Sequence, residues 1–323
     1  MSTKAELLSL FEKNGQEYIS GQKIGDTLNV TRNAVWKAVE QLRSEGYQIE
    51  SKPKTGYRLV AEPDNLSSGK IMEYITSPCD LMVFRTVDST ITVAEETELN
   101  ENPLFIVADS QTAGKGRLGR SFASPAGTGL YLTIAIKPDF AINEALYVTM
   151  ASAVATARAI EKVCRIHADI KWVNDLFYNN RKICGILTKA QSNLELGQID
   201  KLIIGIGINC FPGSLPPELD HIAGPVSSEK GSFSRNQLAA EVFNETIKIL
   251  NDLQEKTFMK EYKRRCFILD EIISVHPHFD DRSVKAFAVD ISDDGGLIVE
   301  YTEGDKKGIR ETLTTGEVSI RLD

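Results

Sequence analysis

Apolar residues recur at helical spacing from the start of the chain. Ala5, Leu7, Leu8, Leu10 and Phe11 form one stripe before a break at Asn14-Gly15. Ile19-Ser20-Gly21 opens a second short helix with Ile24 and Leu28 inward, and Asn29-Val30-Thr31 makes a turn. A third helix is predicted from Arg32 to Ser44, closed by Gly46 as a C′ glycine. Val35, Ala38, Val39 and Leu42 are its buried stripe, Trp36 is half in the core, and Arg32, Asn33, Lys37 and Arg43 face outward. Short strands at Tyr47 to Ser51 and Tyr57 to Val60 then flank Lys52-Pro53-Lys54-Thr55-Gly56, a basic hairpin tip. Three helices and a basic hairpin make a winged helix-turn-helix.

The polar stretch from Ala61 to Gly69 holds Pro and Gly and reads as a linker. Beyond it the pattern predicts strands at Leu81 to Thr86, Leu104 to Asp109 and Gly129 to Lys137. Helices are predicted from about Thr92 to Leu99, with Asp88 or Ser89 as N-cap, and from about Ala141 to Val163. Ile170, Trp172, Leu176 and Tyr178 alternate around an Asn174-Asp175 turn, which leaves Lys171 on the opposite face. Asn179-Asn180 turns the chain into a return strand, Lys182 to Ala190. Leu202 to Asn209 is a buried strand whose Gly205 and Gly207 mark a close approach, here read as that of a ligand. A helix from Arg235 to Leu253 follows. From about Asp270 the chain breaks into short strands with turns at Asp280-Asp281, Asp293 to Gly296 and Gly304-Asp305, the pattern of a small β barrel. The expected class is α+β, in three domains: 1–62, 66–268 and 269–323.

Charge sharpens the first domain. Residues 1–60 hold nine Lys/Arg against seven Asp/Glu, a net +2, and leave −10 for the rest of a chain whose total is −8. The cations lie where a recognition helix and wing meet phosphates, which points to DNA through Thr31, Arg32, Asn33, Lys37, Lys52 and Lys54. A winged helix used for protein contacts is the alternative. No apolar run approaches the roughly 18 residues of a membrane span, and the polar start, Met1 to Glu6, has no leader's apolar core. Cys79, Cys164, Cys184, Cys210 and Cys266 are scattered and form no C-x-x-C pair. They read as reduced thiols of a cytoplasmic protein, without a disulfide framework or zinc site. The four histidines are dispersed, so no tightly bound metal is expected.

The chemistry concentrates between Ser110 and Phe122. Three glycines alternate with Lys115, Arg117 and Arg120. Glycine permits close backbone approach, successive N–H groups can cradle an anion, and the cations add charge-assisted donors. The loop suits a nucleotide's phosphate chain, although it lacks Walker A spacing. A solvated basic loop would carry the same composition.

In order, a winged helix, Asp88-Ser89-Thr90, Gln111-Thr112-Ala113-Gly114-Lys115-Gly116-Arg117, Lys171-Trp172-Val173-Asn174-Asp175, Gly185-Ile186-Leu187 and Gly205-Ile206-Gly207-Ile208-Asn209 resemble the bifunctional biotin–protein ligases that also repress biotin operons. The resemblance covers essentially the whole chain. It implies a central class II synthetase-like ligase domain and an SH3-like tail. The implied enzyme is a biotin–[biotin carboxyl-carrier protein] ligase. Biotin attacks MgATP to give biotinyl-5′-AMP, and the acyl group then passes to a carrier lysine. Implied partners are a carrier domain, operator DNA and a second copy of the chain. By resemblance, Lys171 and Arg117 are catalytic. Ser89, Thr90, Gln111, Lys115, Gly116, Arg117, Lys171, Gly185 and Gly207 bind biotin. Arg117, Arg120, Phe122, Lys171 and Asn209 bind ATP. The chain departs from the family pattern at Ile91 (commonly Asn), Lys115 (Arg), Phe122 (Trp), Val173 (Pro) and Lys189 (acidic). A ligand-sensing transcription factor with a weakly active ligase-like domain, or a ligase for another acid such as lipoate, remains the alternative.

Overall fold

The computed structural model describes residues 3–15, 17–44, 47–61, 64–138, 145–193, 198–213, 215–219, 221–276, 283–314 and 317–319. Gly46, the Asp280-Asp281 turn and the expected helix start at Ala141 lie outside them. The chain divides into two compact units, 1–64 and 65–323.

In the first unit, helices α1 (Thr3–Asn14), α2 (Gly21–Leu28) and α3 (Arg32–Ser44) enclose Leu7, Phe11, Ile24, Val35, Val39 and Leu42. Ser20 caps α2 by accepting from the Lys23 N–H, and Thr31 Oγ1 caps α3 by accepting from the Ala34 N–H. Strands β1 (Gln48–Lys52) and β2 (Gly56–Ala61) form the wing, and Ile19 and Tyr57 exchange backbone bonds of 2.9 Å at its base. Gly56 sits there at φ +127°, where a Cβ would fall 2.0 Å from the Ile19 carbonyl oxygen. Only glycine fits that close approach.

The second unit is built on a seven-stranded sheet. Its strands are β3 (Asp80–Phe84), β4 (Leu104–Ala108), β5 (Gly129–Ile136), β6 (Asp169–Lys171), β7 (Asp175–Tyr178), β8 (Arg181–Asn193) and β9 (Gln198–Asn209). They run in the order β3-β4-β5-β9-β8-β7-β6, antiparallel except for the β3–β4 pair. Asn179 and Asn180 both take positive φ in the two-residue turn between β7 and β8, as a tight hairpin requires.

Alternation along the strands separates two faces. Phe105, Val107, Leu130, Leu132, Ile204 and Ile206 join the main core, with the Ala-rich α6 (Ala145–Cys164) and α7 (Arg235–Asn251). The opposite face carries a small core of Ile91, Ala94, Leu104, Ile106, Ala135 and Ile203 beneath α5. Helix α5 is Thr90–Glu96, set two residues earlier than the periodicity placed it. Ser89 and Thr97, both extended, bound it. Two short helices were not foreseen, α4 (Ser68–Met72) and α8 (Met259–Arg265). Five and seven residues are too few to show a helical period.

Strands β10 (Ile272–His276), β11 (Val284–Ile291), β12 (Leu297–Tyr301), β13 (Arg310–Leu313) and β14 (Glu317–Ser319) form a five-stranded antiparallel sheet, β13-β12-β11-β10-β14. Ile273, Ala286, Ala288, Ile291 and Leu297 bury into the same main core as the larger sheet. The β11–β12 turn reaches the segment between β6 and β7 directly, since the Trp172 indole N–H donates to the Gly295 carbonyl at 3.0 Å.

Candidate active site and nucleic-acid interface

The site face of the sheet is built in cross-strand rows. Tyr131, Gly207 and Gly185 lie side by side on β5, β9 and β8, and Thr133, Gly205 and Leu187 form the next row. The glycines keep the floor low. Two of the chain's own side chains come down onto it, so at both glycines, which line the cavity described below, protein side chains share the close approach expected of a ligand. A Cβ on Gly207 would lie 2.5 Å from the Phe122 ring, and one on Gly205 would lie 2.5 Å from Ile91 Cδ1. Phe122 also stands edge-on to Tyr131, with ring centroids 6.3 Å apart.

At the N-terminus of α5 the polar groups interlock. The Thr90 backbone N–H and hydroxyl both donate to Gln111 Oε1, at 2.8 and 3.1 Å. Gln111 Nε2 donates to Ser124, and the Thr133 hydroxyl donates to Thr90. Ser89 Oγ is buried and has no hydrogen-bond partner among the described residues, and the same holds for Asn209 Oδ1. Buried polar atoms without partners are uncommon, and each suits a ligand or water donor.

The loop after β4 folds into a flap over this floor. The Phe122 N–H donates to the Gly114 carbonyl, the Gly116 N–H to Arg120, and Arg117–Gly119 makes a 3₁₀ turn at the tip. Arg117 reaches across to Asn174 Oδ1 at 2.8 Å. Asn174 is itself buried and fixed by its Nδ2 donation to the Ile186 carbonyl at 2.9 Å. Lys171 ends β6 just before this turn. Lys182 pairs with Asp175 at 2.7 Å.

Together these residues enclose a cavity of about 320 Å³, within the range of small-molecule sites. Of the residues expected at a ligand site, Thr90, Gln111, Lys115, Gly116, Arg117, Arg120, Phe122, Lys171, Gly185 and Gly207 line it. Ser89 and Asn209 do not. Trp172, Asn174, Asp175, Lys182 and Leu187 also line it, and none had been assigned a site role. The Asn-Asp turn beside Lys171 was a usable signal. Lys182 had none, since its place follows from the hairpin register alone. Five lining cations face Asp175 as the lining carboxylate, so the cavity favours a polyanion. Two departures meet at Glu95, which does not line it: Lys115 and Lys189 both hold its carboxylate, Lys115 at 3.1 Å. Burial pushes the Glu95 carboxyl up, but hydrogen bonds from Lys189 and Lys115 outweigh it and set it below its ordinary value. Among the described residues no group of three or more His, Cys, Asp or Glu could hold a metal ion, and none of the five cysteines is paired.

In the winged helix, Arg32, Asn33, Trp36 and Lys37 are exposed on α3, and Lys52 and Lys54 are exposed on the wing. Trp36 is 50% exposed. Arg43 does not face outward with them. It donates to the Ile49 carbonyl at 2.6 and 3.0 Å and to Glu40 at 2.7 Å, so it ties α3 to the wing.

Residues 83–209 match the biotin/lipoate A/B protein ligase family, and residues 3–58 match a helix-turn-helix domain. The chain is 39% identical over 235 residues to the bifunctional ligase/repressor BirA of Bacillus subtilis, covering 71% of this chain and 72% of that protein. It is 28% identical over 310 residues to the Escherichia coli protein of the same name, covering 94% of each. The biotin protein ligase of Aquifex aeolicus, solved with biotin and ATP, superposes with a TM-score of 0.62. It is 26% identical and covers 75% of this chain and 98% of that one.

Proposed function

The chain belongs to the bifunctional biotin ligase/repressor family, and on that footing we propose how its residues carry out ligation and repression. It is an ATP-dependent biotin–protein ligase with a DNA-binding repressor domain, and its substrates are biotin and ATP.

The supporting observation is the single cavity that collects the Thr90–Gln111 pair, the flap cations and Lys171. The ureido end of biotin is assigned to Ser89, Thr90 and Gln111, where polar atoms converge beside apolar walls. Its carboxylate then points to Lys115, Gly116, Arg117 and Lys171. MgATP is the co-substrate, its phosphates on Arg117, Arg120 and Lys171, and its base near Phe122 and Asn209. Attack of a carboxylate on the α-phosphorus forms a C(O)–O–P bond and releases pyrophosphate. Two anions must meet, so neutralisation by fixed cations supplies the catalysis in place of a proton-transfer base. The flap then shields the mixed anhydride from water until a carrier lysine attacks its carbonyl and AMP leaves.

The acceptor is a lysine on a biotin carboxyl carrier domain. The repressor half contacts operator DNA through Arg32, Asn33, Lys37, Lys52 and Lys54, with Thr31 starting the helix, and two copies bind together. The tail, residues 269–323, is taken as an SH3-like module that braces the Lys171–Asn174 turn through Trp172. Biotin-dependent exchange of labelled pyrophosphate into ATP tests the enzyme. Robust exchange is expected. Tight biotin binding without exchange would make the chain a sensor, and exchange driven by lipoate in preference to biotin would overturn the substrate.

A further inference from the structure

Beyond the two glycine rows, a third row on the site face is Ala135, Ile203 and Lys189. Helix α5 runs across the second and third rows. Ile91 covers Gly205, and Glu95 follows one turn later. A helical turn of four residues advances roughly 6 Å, and two strand residues advance roughly 6.8 Å. The repeats nearly match, so Glu95 falls where Lys189 stands and the two pair. Lys201 on β9 fixes the same stretch of α5, donating to the carbonyls of Ala94 at 2.9 Å and Thr97 at 2.7 Å. Against this anchored carboxylate the flap places Lys115, whose Nζ lies 3.1 Å from Glu95 Oε2 while Lys189 takes Oε1.

We propose that Glu95 is a positioning residue for the flap: it tethers Lys115 to α5, and Lys189 keeps the carboxylate paired whenever Lys115 leaves for a substrate anion. The ammonium groups of Lys115 and Lys189 share one carboxylate, so the cluster carries a net positive charge. Withdrawing Lys115 from a lone Glu95 would strand a partly buried anion. With Lys189 in place, that cost is removed. Lys189, which reversed a sign beside the site in the sequence, thereby becomes the partner that lets Lys115 move. The tether stands on this geometry alone, and its consequence for substrate binding rests on the ligase reading above.

The test uses the full chain. Limited trypsin treatment without substrates reads the tether, because the flap carries cleavage sites at Lys115, Arg117 and Arg120. Glu95→Gln should speed cleavage in the flap about five-fold or more, at an unchanged melting temperature. Lys189→Gln should do the opposite and slow it, because Lys115 then holds Glu95 alone. Both variants should raise KM for biotin in pyrophosphate exchange and leave kcat within about two-fold. A merely structural Glu95 would lower the melting temperature and would not give opposite cleavage responses in the two variants. Equal flap cleavage in wild type and Glu95→Gln overturns the tether even where exchange is robust. Absence of biotin-dependent exchange in the wild type overturns the ligase reading and leaves the cleavage comparison intact.

Discussion

Single side chains decide the chemistry. Lys171 ends β6 beside Trp172, whose N–H is held by Gly295, and it lines the cavity opposite the flap. Replacing it by alanine should cut biotin-dependent pyrophosphate exchange by about 10²–10³, the scale for losing one transition-state donor. A wild-type rate in that variant would remove Lys171 from the mechanism. Its residue type and strand position were readable from the sequence, and so was the place of Gln111 and Arg117 in the loop after β4. Two residues show where such reading stops. Arg43 looked like one more cation on the outer face of α3, yet the Ile49 carbonyl claims it. Asn174 looked like a turn residue, yet it anchors Arg117 from across the cavity. Either outcome depends on a partner group supplied by another element of the chain.

At the scale of elements, α6, α7 and α8 are joined by charge as well as by the core. Arg158 on α6 and Arg265 at the end of α8 both donate to Glu261, and Arg265 also pairs with Glu161. Arg265 is buried. Burial pushes the Glu261 carboxyl up, but hydrogen bonds from Arg158 and Arg265 outweigh it and leave its pKa below the usual carboxylate value. The Arg265 hydrogen bond, followed by that of His167, lowers Glu161. A carboxylate whose folded pKa is depressed stabilises the fold above its unfolded pKa. That stabilisation is lost as pH falls through the folded value. The melting temperature should therefore fall on acidification below the ordinary carboxylate range. Glu261→Gln should start lower at neutral pH and show a shallower acid decline, and parallel melting curves across pH would refute this role for Glu261. The helices themselves were legible where long apolar stripes marked them. Their charged contacts were not, because Arg158, Glu261 and Arg265 belong to two segments about a hundred residues apart.

At the scale of the whole chain, the division into two compact units falls within the polar linker. A fragment of residues 65–323 should fold, keep biotin-dependent pyrophosphate exchange and lose retardation of operator DNA. A fragment that still retards the operator would refute the assignment of repression to the winged helix. The sequence by itself determined the winged helix, the order of the strands along the chain, the linker and the cationic flap. Each of these is a local pattern of apolar spacing, turn residues and charge, complete within a few tens of residues. Only the tertiary structure decided that Phe122 and Ile91 cover the glycine floor, that Glu95 is shared by Lys115 and Lys189, and that the tail's Gly295 holds Trp172. Those contacts are set by strand register and by the packing of α5 on the sheet, and register is a property of paired segments that neither segment carries alone.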